Sequence, residues 1–150
     1  MLEHEELFEK TLKEVTESSD FLKSKEFIQH GSTSIYSHSI QVAYKSCMLA
    51  EKWGFDVSYK EMIRGALLHD YFLYDWHDKE HIHKRPHGFY HASAALKNAV
   101  RDFELTEKEK NIIHRHMFPL TAIPPRYKEA WIVCIADKLC STQETIKRKS

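Results

Sequence analysis

Glycine and proline, the two residues that most often interrupt regular structure, are scarce in this chain. Four glycines and four prolines are spread over 150 residues. That scarcity favours long helices over many short strands, because strand connections depend on tight turns and these residues build most of them. The length suits one ordinary domain with a real core. We therefore predict an all-α fold, a single compact helical bundle of five to seven helices over residues 1–150.

Hydrophobic periodicity and capping residues place the helices along the chain. Ser58 with Glu61, and Thr106 with Glu109, have the spacing of a capping box, which marks a helix start. Ser32, Thr33 and Ser34 offer N-cap oxygens for a helix from residue 35, and Gly54 is suited to end it in the left-handed conformation. Residues 71–90 are aromatic, charged and rich in histidine, and we predict a loop there. The predicted helices span residues 2–17, 21–28, 35–53, 59–70, 92–103, 107–117 and 127–146.

Charge and targeting signals narrow the functional classes. Lys plus Arg and Asp plus Glu number 22 each, and this balance argues against a general nucleic-acid binder. Residues 1–6 lack the apolar core of a signal peptide, and no apolar run approaches the roughly 20 residues that a membrane span needs. Cys47, Cys134 and Cys140 have no CxxC spacing, so we interpret them as buried reduced thiols; the alternative is a zinc site that uses Cys134. We expect a cytoplasmic protein without membrane contact.

A histidine–aspartate pair ends one of the predicted helices. His69 and Asp70 follow an apolar run, while His38 lies in the preceding helix and Asp137 in the last one. Imidazole nitrogen and carboxylate oxygen together suit borderline and hard divalent cations. An aspartate within an apolar helix is costly unless a cation meets it, and the alternative partner for Asp137 is a nearby basic side chain. If these helices pack side by side, the four side chains can converge on one ion.

Three short segments occur in a fixed order, each within a predicted helix. They read YSHSIQVA at 36–43, GALLHD at 65–70 and IADK at 135–138. Together they resemble the first, second and last motifs of the HD-domain superfamily of metal-dependent phosphohydrolases. The similarity covers roughly residues 34–141. The resemblance implies an HD-type fold in which the principal divalent ion is held by His38, His69, Asp70 and Asp137.

The resemblance also implies positions for a second ion. Family members with two or three metals add histidines between the second and last motifs, and His91 and His116 match those positions. With Asp70 bridging, the site would hold one or two divalent ions, for which Mn, Mg, Fe, Co, Ni and Zn are all candidates. The alternatives are that His91 is exposed at a helix N-terminus and that His116 interacts with a helix dipole. His114, two residues from His116, is predicted to face elsewhere.

By resemblance, the reaction is hydrolysis of a phosphate ester or anhydride by metal-activated water. The substrate would be a nucleotide or another small phosphorylated metabolite. We predict catalytic roles for Asp70, Asp75 and Lys138, with Asp75 as general acid or base. Side chains predicted to contact the substrate phosphate are Lys84, Arg85 and His87. Two other interpretations stay open: a non-catalytic helical module with a structural or sensory metal, and a di-iron oxygenase on the same fold.

Overall fold

The computed structural model describes the backbone of residues 3–17, 28–30, 33–71 and 87–149, and the side chains of 3–17, 34–71 and 92–146. Within these ranges it contains six α-helices and one short antiparallel strand pair, β1 and β2. The predicted all-α helical bundle is confirmed. The elements are α1 (Glu5–Glu17), β1 (Ile28–His30), β2 (Thr33–Ser34), α2 (Ile35–Trp53), α3 (Tyr59–Leu68), α4 (His87–Asp102), α5 (Glu107–Arg115) and α6 (Lys128–Lys149).

Local capping signals account for the helix ends that the sequence predicted best. Ser34 Oγ accepts a hydrogen bond from the Ser37 amide at 3.1 Å and opens α2, and Gly54, at φ 69°, closes it. Thr106 and Glu109 form the predicted capping box at the start of α5. Satisfying these terminal amides and carbonyls stabilises each helix end by roughly 1 kcal/mol.

Other predicted boundaries need correction. Helix α4 begins at His87, whereas the sequence predicted a loop to residue 90 and a helix from 92. Ser58 precedes α3 as predicted but makes no side-chain cap; instead Glu129 of α6 accepts its amide hydrogen bond at 2.7 Å. The predicted helix over 21–28 lies almost wholly outside the described residues, and Ile28 belongs to β1.

The core lies between four of the helices. Helix α2 packs against α3 and α6, and α5 packs against α3 and α6. Their fully buried side chains include Val42, Leu67, Ile113 and Val133. All three cysteines are free and buried, as predicted. No helix in the described part of the chain combines the length and the apolar character that a membrane crossing requires.

Helix α4 is fixed to the residue that follows the histidine–aspartate pair. The buried Tyr71 donates from Oη to Asp102 Oδ2 at 2.6 Å, and Asn98 donates to the Tyr71 carbonyl at 3.1 Å. Hydrogen bonds from Arg101 chiefly, and from Tyr71, hold the pKa of Asp102 at about 2, although burial acts in the opposite direction. These contacts anchor the chain immediately after Asp70.

Replacing Tyr71 by phenylalanine should lower the free energy of unfolding by about 1–2 kcal/mol at pH 7, because a hydrogen bond to a charged group is lost. The folded-state pKa of Asp102 lies below its ordinary value, so the stability that the charged Asp102 contributes is present above about pH 4. It is lost as pH falls toward 2. Urea denaturation of both proteins at pH 7 and pH 3 tests this; equal stabilities at pH 7 would contradict it.

Candidate metal centre

Four helices bring the predicted ligands to one place. His38 lies in the first turn of α2, and Asp137 lies in the middle of α6. His69 is the C-cap of α3 and Asp70 follows it in a turn, so the pair stands at a helix end, where adjacent side chains can turn toward the same point. His116 is the C-cap of α5. All five side chains are buried.

Two imidazoles and two carboxylates converge closely. His38, His69, Asp70 and Asp137 each offer a ligand atom, and these atoms all lie within 4.8 Å of one another. Asp137 Oδ1 is 2.8 Å from His38 Nε2 and 3.2 Å from His69 Nε2. Asp70 Oδ2 is 3.4 Å and 3.2 Å from the same two nitrogens.

Those separations suit a divalent ion. Ligands about 2.1 Å from an ion, at octahedral or tetrahedral angles, stand roughly 3.0–3.4 Å from one another. The donor set of two neutral nitrogens and two anionic oxygens is one that Mn, Fe, Co, Ni and Zn all accept. Geometry and chemistry therefore both fit a metal at this position.

The orientation of two imidazole rings is set by the backbone. Nδ1 of His69 lies 2.6 Å from the Ala66 carbonyl oxygen, and Nδ1 of His116 lies 2.7 Å from that of Ile113. A carbonyl only accepts hydrogen bonds, so each Nδ1 carries the hydrogen and donates it. In the neutral form of each ring, the lone pair of Nε2 is then directed into the cluster, as metal-ligating histidines require.

The third imidazole is oriented by a carboxylate that the sequence analysis missed. Glu144 Oε1 and Oε2 lie 2.9 Å and 3.0 Å from His38 Nδ1, and both side chains are buried. A signal was present in the sequence: Glu144 is seven residues after Asp137, which puts both on one face of α6. An acidic residue two helical turns beyond a proposed ligand could therefore have been predicted to face the same site.

The electrostatics of the cluster favour a cation. Burial opposes ionisation of His38, but Asp137 and Glu144 outweigh it and raise its pKa to about 9. Burial likewise opposes ionisation of His69, yet Asp70 and Asp137 raise its pKa well above the ordinary value. Asp137 has a pKa well below its usual range despite burial, because both imidazoles stabilise its charge. Three carboxylates in a buried site need positive charge beside them.

The second oxygen of Asp70 faces another imidazole. His116 Nε2 lies 3.4 Å from Asp70 Oδ1, and the rings of His69 and His116 are 4.7 Å apart between centroids. One carboxylate thus presents one oxygen to His38 and His69 and the other to His116. That is the arrangement a bridging carboxylate between two ions would need.

Several predicted site residues lie elsewhere or outside the described part. The backbones of His87 and His91 lie in α4, but their side chains are not among those described. Their predicted roles in phosphate and second-ion binding stay predictions. The same holds for the residues predicted between 72 and 86, namely Asp75, Lys84 and Arg85.

Lys138, a predicted catalytic residue, contacts the end of α5. Its Nζ donates to the His116 carbonyl oxygen at 3.1 Å and lies 3.1 Å from Cys134 Sγ. Asp137 contacts His38 and His69, so imidazoles take the place of the basic partner considered from the sequence. The placement of Lys138 supports the segment that carries His116, and its catalytic role stays a prediction.

A second group of possible ligands, at the N-terminus, has a structural explanation. Glu3, His4 and Glu51 also lie close together. The Glu51 carboxylate accepts hydrogen bonds from the Glu3 and His4 amides at 3.0 Å and 3.1 Å, and lies 2.8 Å from His4 Nδ1. The His4 ring stacks on Tyr59. These contacts join the start of α1 to the end of α2.

Comparison with known proteins agrees with the geometry. No curated protein and no solved structure gave a significant match to the chain. The family model described as HD domain matches residues 35–142, which is well over half of the chain. The matched range ends two residues before Glu144, and it contains His116 and the four converging residues His38, His69, Asp70 and Asp137. The chain therefore belongs to the HD-domain family.

Proposed function

We propose that this protein is a metal-dependent phosphohydrolase that cleaves a phosphate ester or anhydride by metal-activated water. One observation carries the proposal: a buried group of two imidazoles and two carboxylates whose ligand atoms lie within 4.8 Å of one another. Membership of the HD-domain family, which is commonly hydrolytic, supports it.

The residues of the centre would hold the ion with little rearrangement. His38, His69, Asp70 and Asp137 would be its ligands, and the hydrogen bonds at Nδ1 keep both rings in orientation before an ion arrives. A divalent ion bound there would lower the pKa of water toward neutrality and polarise phosphoryl oxygens. His116, beside the second oxygen of Asp70, would extend the site toward a second ion.

Substrate recognition is proposed to depend on charge. The chain lacks a glycine-rich phosphate loop, so the metal and cationic side chains would have to bind the phosphate. The predicted contacts are Lys84, Arg85 and His87, and Asp75 is the predicted general acid or base. We propose a nucleotide or another small phosphorylated metabolite as substrate, cleaved in a phosphomonoesterase or phosphodiesterase reaction.

Activity assays with single metals test the proposal. Metal-free protein reloaded with Mn, Mg, Fe, Co, Ni or Zn is expected to hydrolyse an aryl phosphate monoester or diester with at least one of them. Asp137→Ala should lower that rate by more than about a hundredfold. Mutating a residue that only orients a metal ligand typically lowers activity 10–100-fold, and removing the ligand itself should lower it further. His114→Ala serves as the control, since this side chain lines a surface hollow with Asn111 and Tyr127.

Two outcomes would contradict the proposal. Protein that binds metal yet hydrolyses neither ester, nor any nucleotide in a panel, would favour the structural or sensory module. Oxygen consumption by the iron-loaded protein, without hydrolysis, would favour the oxygenase.

A further inference from the structure

Glu144 contacts the metal centre from outside the part of the chain that matches the family. It lies in α6 two turns after Asp137, and the family match ends at residue 142. Its side chain is only about 5% exposed, and both of its oxygens lie within 3.0 Å of His38 Nδ1. A carboxylate so thoroughly buried needs a partner that compensates for lost hydration, and His38 is that partner.

His38 differs from the other two imidazoles in what orients it. His69 and His116 are C-cap residues, and each ring folds back to the carbonyl three residues earlier. His38 lies inside α2, where the helix uses its backbone carbonyls for its own hydrogen bonds. Its acceptor comes instead from a residue 106 positions away in the sequence. The orientation of this ring therefore depends on Glu144.

A carboxylate acceptor does more than a carbonyl does. Hydrogen bonds to a charged acceptor are roughly twice as strong as neutral ones. A carboxylate at Nδ1 also makes Nε2 a more basic ligand, and outer partners of this kind typically change metal affinity by 10–100-fold. The charge of Glu144 adds to those of Asp70 and Asp137 within one buried cluster.

We propose that Glu144 is a positioning residue of the metal centre, which holds the His38 ring with Nε2 toward Asp70 and Asp137 and strengthens divalent-cation binding. The inference rests on the proposed metal-dependent function. It assigns a role to the last turns of α6, beyond the segment shared with the family.

Metal affinity of two Glu144 variants tests the role. Glu144→Gln keeps the size and an acceptor oxygen but removes the charge, and Mn²⁺ should bind about 10–100-fold more weakly, measured by calorimetry or chelator competition. Glu144→Ala should bind at least as weakly. The matched control is Glu129→Gln, a buried carboxylate in the same helix whose partners are the Ser58 amide and Lys108, and its Mn²⁺ affinity should stay within about twofold.

A spectroscopic measurement separates positioning from general stability. In the native protein loaded with Zn²⁺, long-range ¹H–¹⁵N spectra should show a slowly exchanging, far-downfield Nδ1–H on His38. In Glu144→Ala that resonance should move or vanish, whereas those of His69 and His116 should keep their positions. The native spectrum alone shows whether His38 Nδ1 carries this hydrogen. The proposal can therefore be tested even if Glu144→Ala does not fold.

The outcomes distinguish this inference from the proposed function. Folded Glu144→Gln with native Mn²⁺ affinity, or a native His38 without the Nδ1–H resonance, would overturn the role of Glu144 even if phosphate esters are hydrolysed. Weakened metal binding in the variant, with no hydrolysis by the native protein, would support Glu144 and reject the phosphohydrolase. Native protein that binds neither Mn²⁺ nor Zn²⁺ would overturn both.

Discussion

The double variant His69→Ala, Asp70→Ala is expected to lose stoichiometric divalent metal while keeping its helical content. The change removes two of the four converging donors, including the carboxylate that faces three imidazoles. Helical content should survive because both residues follow Leu68, the last residue of α3. Because His69 and Asp70 are removed together, neither member of this buried pair is left without the other, which limits the loss of stability.

Elemental analysis after gel filtration, paired with circular dichroism, measures both parts of this prediction. His114→Ala is the matched control, because it also removes an imidazole, but one that lies outside the cluster. Metal content of the double variant equal to that of the native protein, with the control unchanged, would reject the assigned site.

Local signals made both ends of one helix and the start of another predictable from the sequence. The Ser34 cap and Gly54 fix α2, and the Thr106 capping box fixes the start of α5, because the interactions lie within a few residues. The start of α3 was predicted correctly, but the reason was partly wrong. The Ser58 amide donates its hydrogen bond to Glu129, which only tertiary packing brings near. The partner of the Ser58 amide could not be predicted, because it belongs to a helix that is distant in the sequence.

The site residues likewise divide into those that the sequence identified and those whose contacts depend on tertiary packing. Ordered motifs indicated that His38, His69, Asp70 and Asp137 would meet, because family resemblance carries tertiary information that periodicity lacks. Glu144 was missed, although its spacing from Asp137 was visible, because nothing local says which partner an acidic residue on that face will have. The hydrogen bond from Lys138 to the end of α5 likewise depends on how α5 meets α6.

Gly65 sets the distance between two helices that end in site histidines. A Cβ added there would lie 2.8–2.9 Å from three Ile112 side-chain atoms, including the Ile112 Cβ. Rotating the isoleucine cannot move its Cβ, so α3 and α5 would have to separate. His69 and His116 each follow this contact by four residues, about one helical turn, so the separation would be transmitted to both imidazoles.

Gly65→Ala should therefore lower the free energy of unfolding by about 1–2 kcal/mol, because overpacking costs about 1–3 kcal/mol and the helix preference of alanine returns at most about 1. Mn²⁺ should also bind more weakly. Chemical denaturation and calorimetry measure the two effects. In an Ile112→Ala background, where two of the three close atoms are gone, the same change should cost at least about 0.5 kcal/mol less. An equal cost in both backgrounds would mean that Cγ2 and Cδ1 of Ile112 take no part in the overpacking. No loss of stability in Gly65→Ala itself would mean that the contact with Ile112 does not set the spacing of the two helices.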